Sequence, residues 1–94
     1  MKTWNDYKEH VKKTDKKAYR DLTEAESHAM IVTAMIRQRN ALGLSQRELA
    51  GLCGIPQSSI ARIESYKTTP NLDTLLKIFR QLGLQLSVIP SQSR

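Results

Sequence analysis

Apolar residues recur along this chain with two different periods. Up to residue 82 they fall three and four apart, and from residue 84 to residue 88 they alternate strictly with polar residues. The first period marks amphipathic helices and the second a half-buried strand. Trp4, Tyr7 and Val11 lie on one helical stripe, with Thr3 and Asp6 as a possible cap, which predicts a helix near residues 4–13. Ala18, Tyr19 and Leu22 predict a shorter one near 15–20. Thr23-Glu24-Ala25-Glu26 has the form of a capping box. The helix it opens is expected to run to about Leu42 and stop at Gly43, burying Met30, Ile31, Ala34, Met35 and Leu42.

A second capping box, Ser45-Gln46-Arg47-Glu48, opens a short helix carrying Leu49, Leu52 and Cys53. Gly54 ends it, since a residue just past a helix often takes positive φ. Pro56 restarts helix, where its missing N–H costs nothing. In that helix Ile60, Ile63 and Glu64 share one face, and Gln57, Ser58, Ala61, Arg62 and Ser65 share the other. Asn71 caps a last helix with Asp73 in its first turn. Leu72, Leu75, Leu76, Ile78, Phe79 and Leu82 form its apolar face, and Gly83 closes it. Leu84-Gln85-Leu86-Ser87-Val88 is the predicted strand, stopped by Ile89-Pro90, and residues 91–94 are expected to fray. One strand cannot satisfy its own backbone groups. It is expected to pair through Leu84, Leu86 and Val88 with the same strand of a second copy, or else with a partner protein.

Two short helices joined by a tight turn, with small Ala50 at the crossing and Ile60 plugging the angle, make a helix-turn-helix. The stretch resembles the DNA-binding domain of the Cro/C1 (Xre) repressor family. The matching residues are Leu44-Ser45-Gln46, Glu48-Leu49-Ala50, Gly54-Ile55, Gln57, Ser59-Ile60, Arg62-Ile63-Glu64, Lys67 and Pro70, within residues 36–82. Tyr66 departs from the pattern, standing where the family usually has Gly, so the 65–69 loop is open to a different course. The resemblance implies a structural ion pair between Arg39 and Glu64, and phosphate contacts from Gln46 and Lys67. Thr69 is assigned the same phosphate role. On the exposed face, Gln57 has the chemistry to bond adenine and Arg62 guanine. Ser58 is taken with the base contacts and Ser59 with the phosphates. One such helix reads only a few base pairs, so a homodimer on double-stranded operator DNA is expected, with half-sites roughly 34 Å apart.

Composition narrows the classes. Ninety-four residues with 39% apolar content suffice for one small domain. A net charge of +6 favours a polyanionic partner. Cys53 is the sole cysteine, which excludes an internal disulfide and a cysteine-based zinc site. His10 and His28 stand isolated. No apolar run is long enough for a bilayer and the N-terminus is too polar for a secretory signal, so a cytoplasmic protein without a membrane partner is expected. No phosphate-binding Gly loop, paired carboxylates or nucleophile pair suggests an enzyme or a cofactor.

Residues 1–22 form a charged segment of their own, with seven Lys/Arg and four Asp/Glu. Trp4 and Tyr7 either pack on the main domain or belong to a partner-binding arm. Taken over its whole length, the chain is similar to the HigA-like antitoxins of type II toxin–antitoxin systems. That resemblance implies neutralisation of a small basic RelE/HigB-like ribonuclease toxin and repression of the protein's own operon. Six of the nine acidic residues lie at or before Glu26. This quarter is therefore the expected toxin-facing surface, through Trp4, Asp6, Tyr7, Glu9, Asp15 and Asp21. Two other readings remain: a stand-alone Cro/C1-type repressor without a toxin, and a protein-interaction adaptor that binds no DNA. The expected architecture is all-α, a five- to six-helix Cro/C1-type domain at 23–83. It carries an N-terminal helical arm at 1–22 and, at 84–94, one C-terminal β-strand pairing across a dimer and a tail.

Overall fold

The structure, a computed structural model, describes residues 3–90. It contains helices α1 (Trp4–Thr14), α2 (Lys16–Ala41), α3 (Gln46–Cys53), α4 (Gln57–Glu64) and α5 (Leu72–Leu82), and no strand among the described residues. The chain forms two compact units that divide between Ile31 and Val32, within α2.

In the first unit, the Thr3 hydroxyl accepts from the Asp6 N–H at 3.0 Å and starts α1. Asp15 is the whole link to α2. Its backbone N–H donates to the Val11 carbonyl at 2.7 Å, ending α1, and its carboxylate accepts from the Ala18 N–H at 3.0 Å, starting α2. The helices expected at 15–20 and from Thr23 are a single helix. No Gly or Pro interrupts residues 16–41. Thr23 does not cap; its hydroxyl donates to the Arg20 carbonyl at 2.8 Å, as threonine does inside a helix. Glu26, which would have closed the box, accepts instead from Trp4 Nε1 at 2.7 Å and Lys8 Nζ at 2.6 Å. Val11 is the buried side chain of α1. Trp4 stacks on Tyr7 with ring centroids 5.6 Å apart, and Lys12 Nζ lies 5.6 Å from the Tyr19 ring centroid.

The second unit has the larger core: Val32 and Met35 of α2, Leu49, Ala50 and Cys53 of α3, Ile60 and Ile63 of α4, and Leu75, Ile78, Phe79 and Leu82 of α5. Several expected core positions are exposed instead: Met30 (70%), Leu42, Leu52, Leu72 and Leu76. The cause is angular. Each helical residue advances about 100°, so in α2 the inward face follows Val32, Met35 and Ile36, and Met30 lies well off it. Leu52 and Leu76 are likewise each one step, about 100°, from a buried neighbour, Cys53 and Leu75. The end of α2 is tied to the end of α5 by Gln38 Nε2, which donates to the Leu82 carbonyl at 2.9 Å.

The strand expected over residues 84–88 is not formed within the single chain. The Leu84 N–H donates to the Phe79 carbonyl at 2.9 Å, closing α5, and residues 84–90 then run without regular structure. Strands need a ladder, and no second extended segment among the described residues supplies one. Leu84 is half-buried, Leu86 and Val88 are exposed. The expected fraying of 91–94 lies outside the described residues.

Candidate nucleic-acid interface

The interface is built on two helix starts and one tight turn. At the first start, the Ser45 hydroxyl accepts from the Glu48 N–H at 3.0 Å and Glu48 Oε1 accepts from the Ser45 N–H at 2.9 Å. The Ser45 backbone N–H first, and the Ser45 hydroxyl second, hold the Glu48 carboxyl below its usual value of 4.5. The turn is Gly54, at φ 69°, a conformation glycine adopts without Cβ strain. It lets the Ile55 N–H reach the Ala50 carbonyl at 3.0 Å. Pro56 then stands as the residue before α4, its carbonyl accepting from the Ser59 N–H at 3.0 Å. Leu49 and Ile60 are fully buried, and Ala50 nearly so, at the crossing of α3 and α4. Burial pushes the Cys53 thiol up from its ordinary value, so this side chain is core rather than a reactive group.

Beneath the exposed face of α4 lies a polar chain. Arg39 Nε donates to Glu64 Oε2 at 2.8 Å and Nη2 to Glu64 Oε1 at 2.9 Å, a bidentate pair. A third donor, Nη1, holds the Leu44 carbonyl at 2.9 Å. The carboxylate raises the Arg39 pKa further, chiefly through these hydrogen bonds. Glu64 Oε1 also accepts from Gln46 Nε2 at 3.0 Å, and Gln46 Oε1 accepts from Gln57 Nε2 at 2.9 Å. The amide orientations follow from this order of donors and acceptors. One end of the chain is a pair largely removed from water; the other is Gln57, exposed at the first position of α4. Gln57 retains its carbonyl oxygen and one amide hydrogen, the two groups a bidentate bond to adenine uses.

Gln57, Ser58 and Arg62 share the exposed surface of α4, and Ser59 is half-buried beside them. Lys67 and Thr69 are exposed in the loop that follows. An open groove of about 300 Å³ lies there, lined by Ser59, Arg62, Thr68, Thr69, Asn71 and their neighbours. Gln46 is half-buried, occupied by Glu64 and Gln57. Its bridging role was hidden in the sequence, because it depends on a partner eleven residues away. Tyr66 takes φ 64°, so the loop keeps a left-handed exit despite its side chain, at a cost of about 1–2 kcal/mol.

The remaining candidates belong to the first unit. Trp4 and Tyr7 are partly exposed on α1, and Asp6, Glu9, Asp15 and Asp21 are exposed. Asp15 is also committed to the α2 cap. Glu26 and Lys8 turn out to organise this unit, a role with no local signal because the contacts span 18 and 22 residues. Among the described residues no group of three or more His, Cys, Asp or Glu is placed to hold a metal ion, and no helix is long and apolar enough to cross a membrane.

The arrangement agrees with what this chain is similar to. A helix-turn-helix family model matches residues 35–89. A helix-turn-helix-type transcriptional regulator of Haemophilus influenzae is 34% identical over 87 residues, covering 93% of this chain and 84% of that protein. The transcriptional regulator PuuR of Escherichia coli is 46% identical over 52 residues, which are 55% of this chain and 27% of PuuR. Among solved structures, a chain described as a toxin–antitoxin module from Streptococcus pneumoniae is 39% identical with a TM-score of 0.65, covering 76% of this chain and 78% of that one. With the capped α3, the Gly54 turn and the outward face of α4, these matches identify the chain as a member of the Cro/C1 (Xre) helix-turn-helix family of DNA-binding transcriptional regulators.

Proposed function

We propose that this chain is the antitoxin of a type II toxin–antitoxin pair, which binds its own operator as a homodimer and neutralises a small basic ribonuclease toxin of the RelE/HigB-like class. The observation that carries the DNA half is the outward face of α4, where Gln57 is held by Gln46 and Arg62 is exposed. A helix of this kind enters the major groove, roughly 12 Å wide, and reads base edges there. Gln57, Ser58 and Arg62 make the base contacts. Gln46, Ser59, Lys67 and Thr69 hold phosphates and fix orientation. Two copies joined through Leu84, Leu86 and Val88 set the half-sites about one helical turn, roughly 34 Å, apart. The unpaired, alternating segment after α5 supports that joint.

The toxin half draws on the likeness to the Streptococcus pneumoniae module, which extends over three-quarters of this chain. Its surface on this chain is the N-terminal quarter. Asp6, Glu9 and Asp21 are exposed there beside Trp4 and Tyr7, an acidic and aromatic face suited to a basic partner. A second reading, a repressor without a toxin, is favoured by the Haemophilus influenzae relative, which is named as a transcriptional regulator alone over 93% of this chain. Co-expression with the product of the adjacent gene decides between them. The antitoxin reading expects a stable complex and restored growth. A neighbour that neither binds nor harms the cell, together with tight promoter binding by this chain, would leave the stand-alone repressor. Failure to bind promoter DNA at any salt concentration would remove both.

A further inference from the structure

Three donors converge on the Glu64 carboxylate: Arg39 Nε, Arg39 Nη2 and Gln46 Nε2. Little of this carboxylate faces water, its side chain being 7% exposed. A carboxylate paired with arginine accepts hydrogen bonds and donates none. That property propagates outward. Gln46 has to turn its amide nitrogen towards Glu64, because its carbonyl oxygen there would meet a carboxylate oxygen with no hydrogen between them. The oxygen of Gln46 is thereby left facing Gln57, and Gln57 answers with an N–H at 2.9 Å. A glutamine amide carries two N–H groups and one carbonyl. With one N–H committed, Gln57 keeps one donor and one acceptor for the outside, at the start of the exposed face of α4.

The two purines differ in how many donors they ask for. In the major groove adenine offers an acceptor, N7, beside a donor, the N6 amino group; guanine offers two acceptors, N7 and O6. An unheld glutamine has two N–H groups for the guanine pair, or turns to serve adenine. The held Gln57 has one N–H left, and its carbonyl would meet guanine O6. We infer that the Glu64 carboxylate, acting through Gln46, is the positioning group that makes Gln57 select adenine over guanine. This rests on the DNA-binding reading above and deepens it. A Gln46 amide turned the other way would donate to the Gln57 carbonyl and free both Gln57 N–H groups, so the same side chain would read the other purine. The Arg39–Glu64 brace thus also sets one letter of the operator.

The test uses the full chain in a binding-site selection from a randomised duplex pool. Fluorescence anisotropy then compares duplexes that differ only at the position whose preference Gln57→Ala abolishes. Gln46→Lys puts donors alone between Glu64 and Gln57, with the brace intact. It is expected to reverse the purine preference at that position by about tenfold or more, the scale of one bidentate base contact. The added charge tightens binding to every duplex alike and leaves that ratio untouched. The double variant Arg39→Met, Glu64→Met removes the acceptor and fills the space of the pair with apolar side chains, an exchange that is often neutral for stability; thermal melting checks that it folds. It is expected to lose most of the adenine preference while still binding the pool. Adenine retained by Gln46→Lys overturns the proposal, whether or not the double variant folds, and leaves Gln46 a phosphate contact without influence on sequence. Adenine retained by a folded double variant overturns Glu64 as the source of the preference. A parent that prefers any base but adenine at the Gln57 position overturns it too. A parent that binds no duplex in the pool overturns the DNA-binding reading itself, a result distinct from the others.

Discussion

The α3–α4 motif and the α1–α2 hairpin are each two helices joined by a tight link, yet they are held together by different means. Between α3 and α4 the joint is apolar and closed, with Leu49, Ala50, Cys53, Ile60 and Ile63 out of water. A bidentate Arg39–Glu64 pair, itself largely buried, extends through Gln46 to Gln57. Between α1 and α2 the joint has one buried α1 residue, Val11, and polar contacts at the surface: Glu26 accepts from Trp4 and Lys8, and Lys12 lies over the Tyr19 ring. Apolar burial contributes about 25 cal/mol per Å² and is not weakened by charge screening, whereas an exposed ion pair contributes little and is screened. The first joint thus presents a rigid surface for reading DNA, and the second belongs to the low-stability class from which segments open locally.

The largest expected effect is at the buried pair. Glu64→Ala leaves the Arg39 guanidinium and the Gln46 amide without their acceptor, and removing one partner of a buried pair costs about 3–5 kcal/mol. That is a large share of the about 5–14 kcal/mol a domain of this size has, so chemical denaturation should find the variant's midpoint far below the parent's. A melting temperature within a few degrees of the parent's would mean that the apolar joint alone suffices. On the outer face the effect passes to binding. Arg62→Ala should cost ~1–3 kcal/mol and relax base preference at one position, whereas Lys67→Ala should weaken all duplexes alike and lower the salt slope by about one. If the two variants behave identically in a binding-site selection, the division into base and phosphate contacts fails.

In the hairpin the same kind of substitution should be almost silent globally. Glu26→Ala is expected to leave the main thermal transition in place while changing the emission of Trp4, the only tryptophan. Loss of the whole fold in this variant would contradict the contrast between the two joints. The smallest effect is on pH. Neighbouring donors lower the Glu26 pKa, Lys8 first and Trp4 second. Its contribution to docking is therefore full above the ordinary value of 4.5 and lost as pH falls through the lowered one. Lys8 is raised, chiefly by its hydrogen bond to Glu26, so its contribution is full below 10.5 and lost as pH rises through the raised value. Trp4 emission should stay flat between those limits and change outside them, acid first, ahead of the far-ultraviolet signal of the whole fold. Coincident transitions would show that α1 does not open separately.

Two segments of similar form separate what was legible from what was not. Ser45-Gln46-Arg47-Glu48 and Thr23-Glu24-Ala25-Glu26 both read as capping boxes, and only the first is one. The first follows Gly43, which ends the preceding helix; nothing before Thr23 breaks the helix, and that difference was already visible in the residue types. The destination of Glu26 was not, since Trp4 and Lys8 approach it from another helix. The inward faces of the helices show the same limit. Periodicity gave the apolar stripe of α5 but not which edge stays wet, because Leu72 and Leu76 differ from Leu75 and Ile78 only in what packs against them.

Local chemistry determined the helix starts at Ser45 and Asn71, the exits at Gly43, Gly54 and Gly83, and the polar face of α4, because each depends on contacts within a few residues that any conformation of the chain can reach. The tertiary structure alone decided the destination of Glu26, the course of Leu84–Val88 and the extension of the expected Arg39–Glu64 pair through Gln46 to Gln57. Each of these is a competition between a local preference and a contact made elsewhere. The sequence lists both contenders, and only the folded chain brings the distant one within reach.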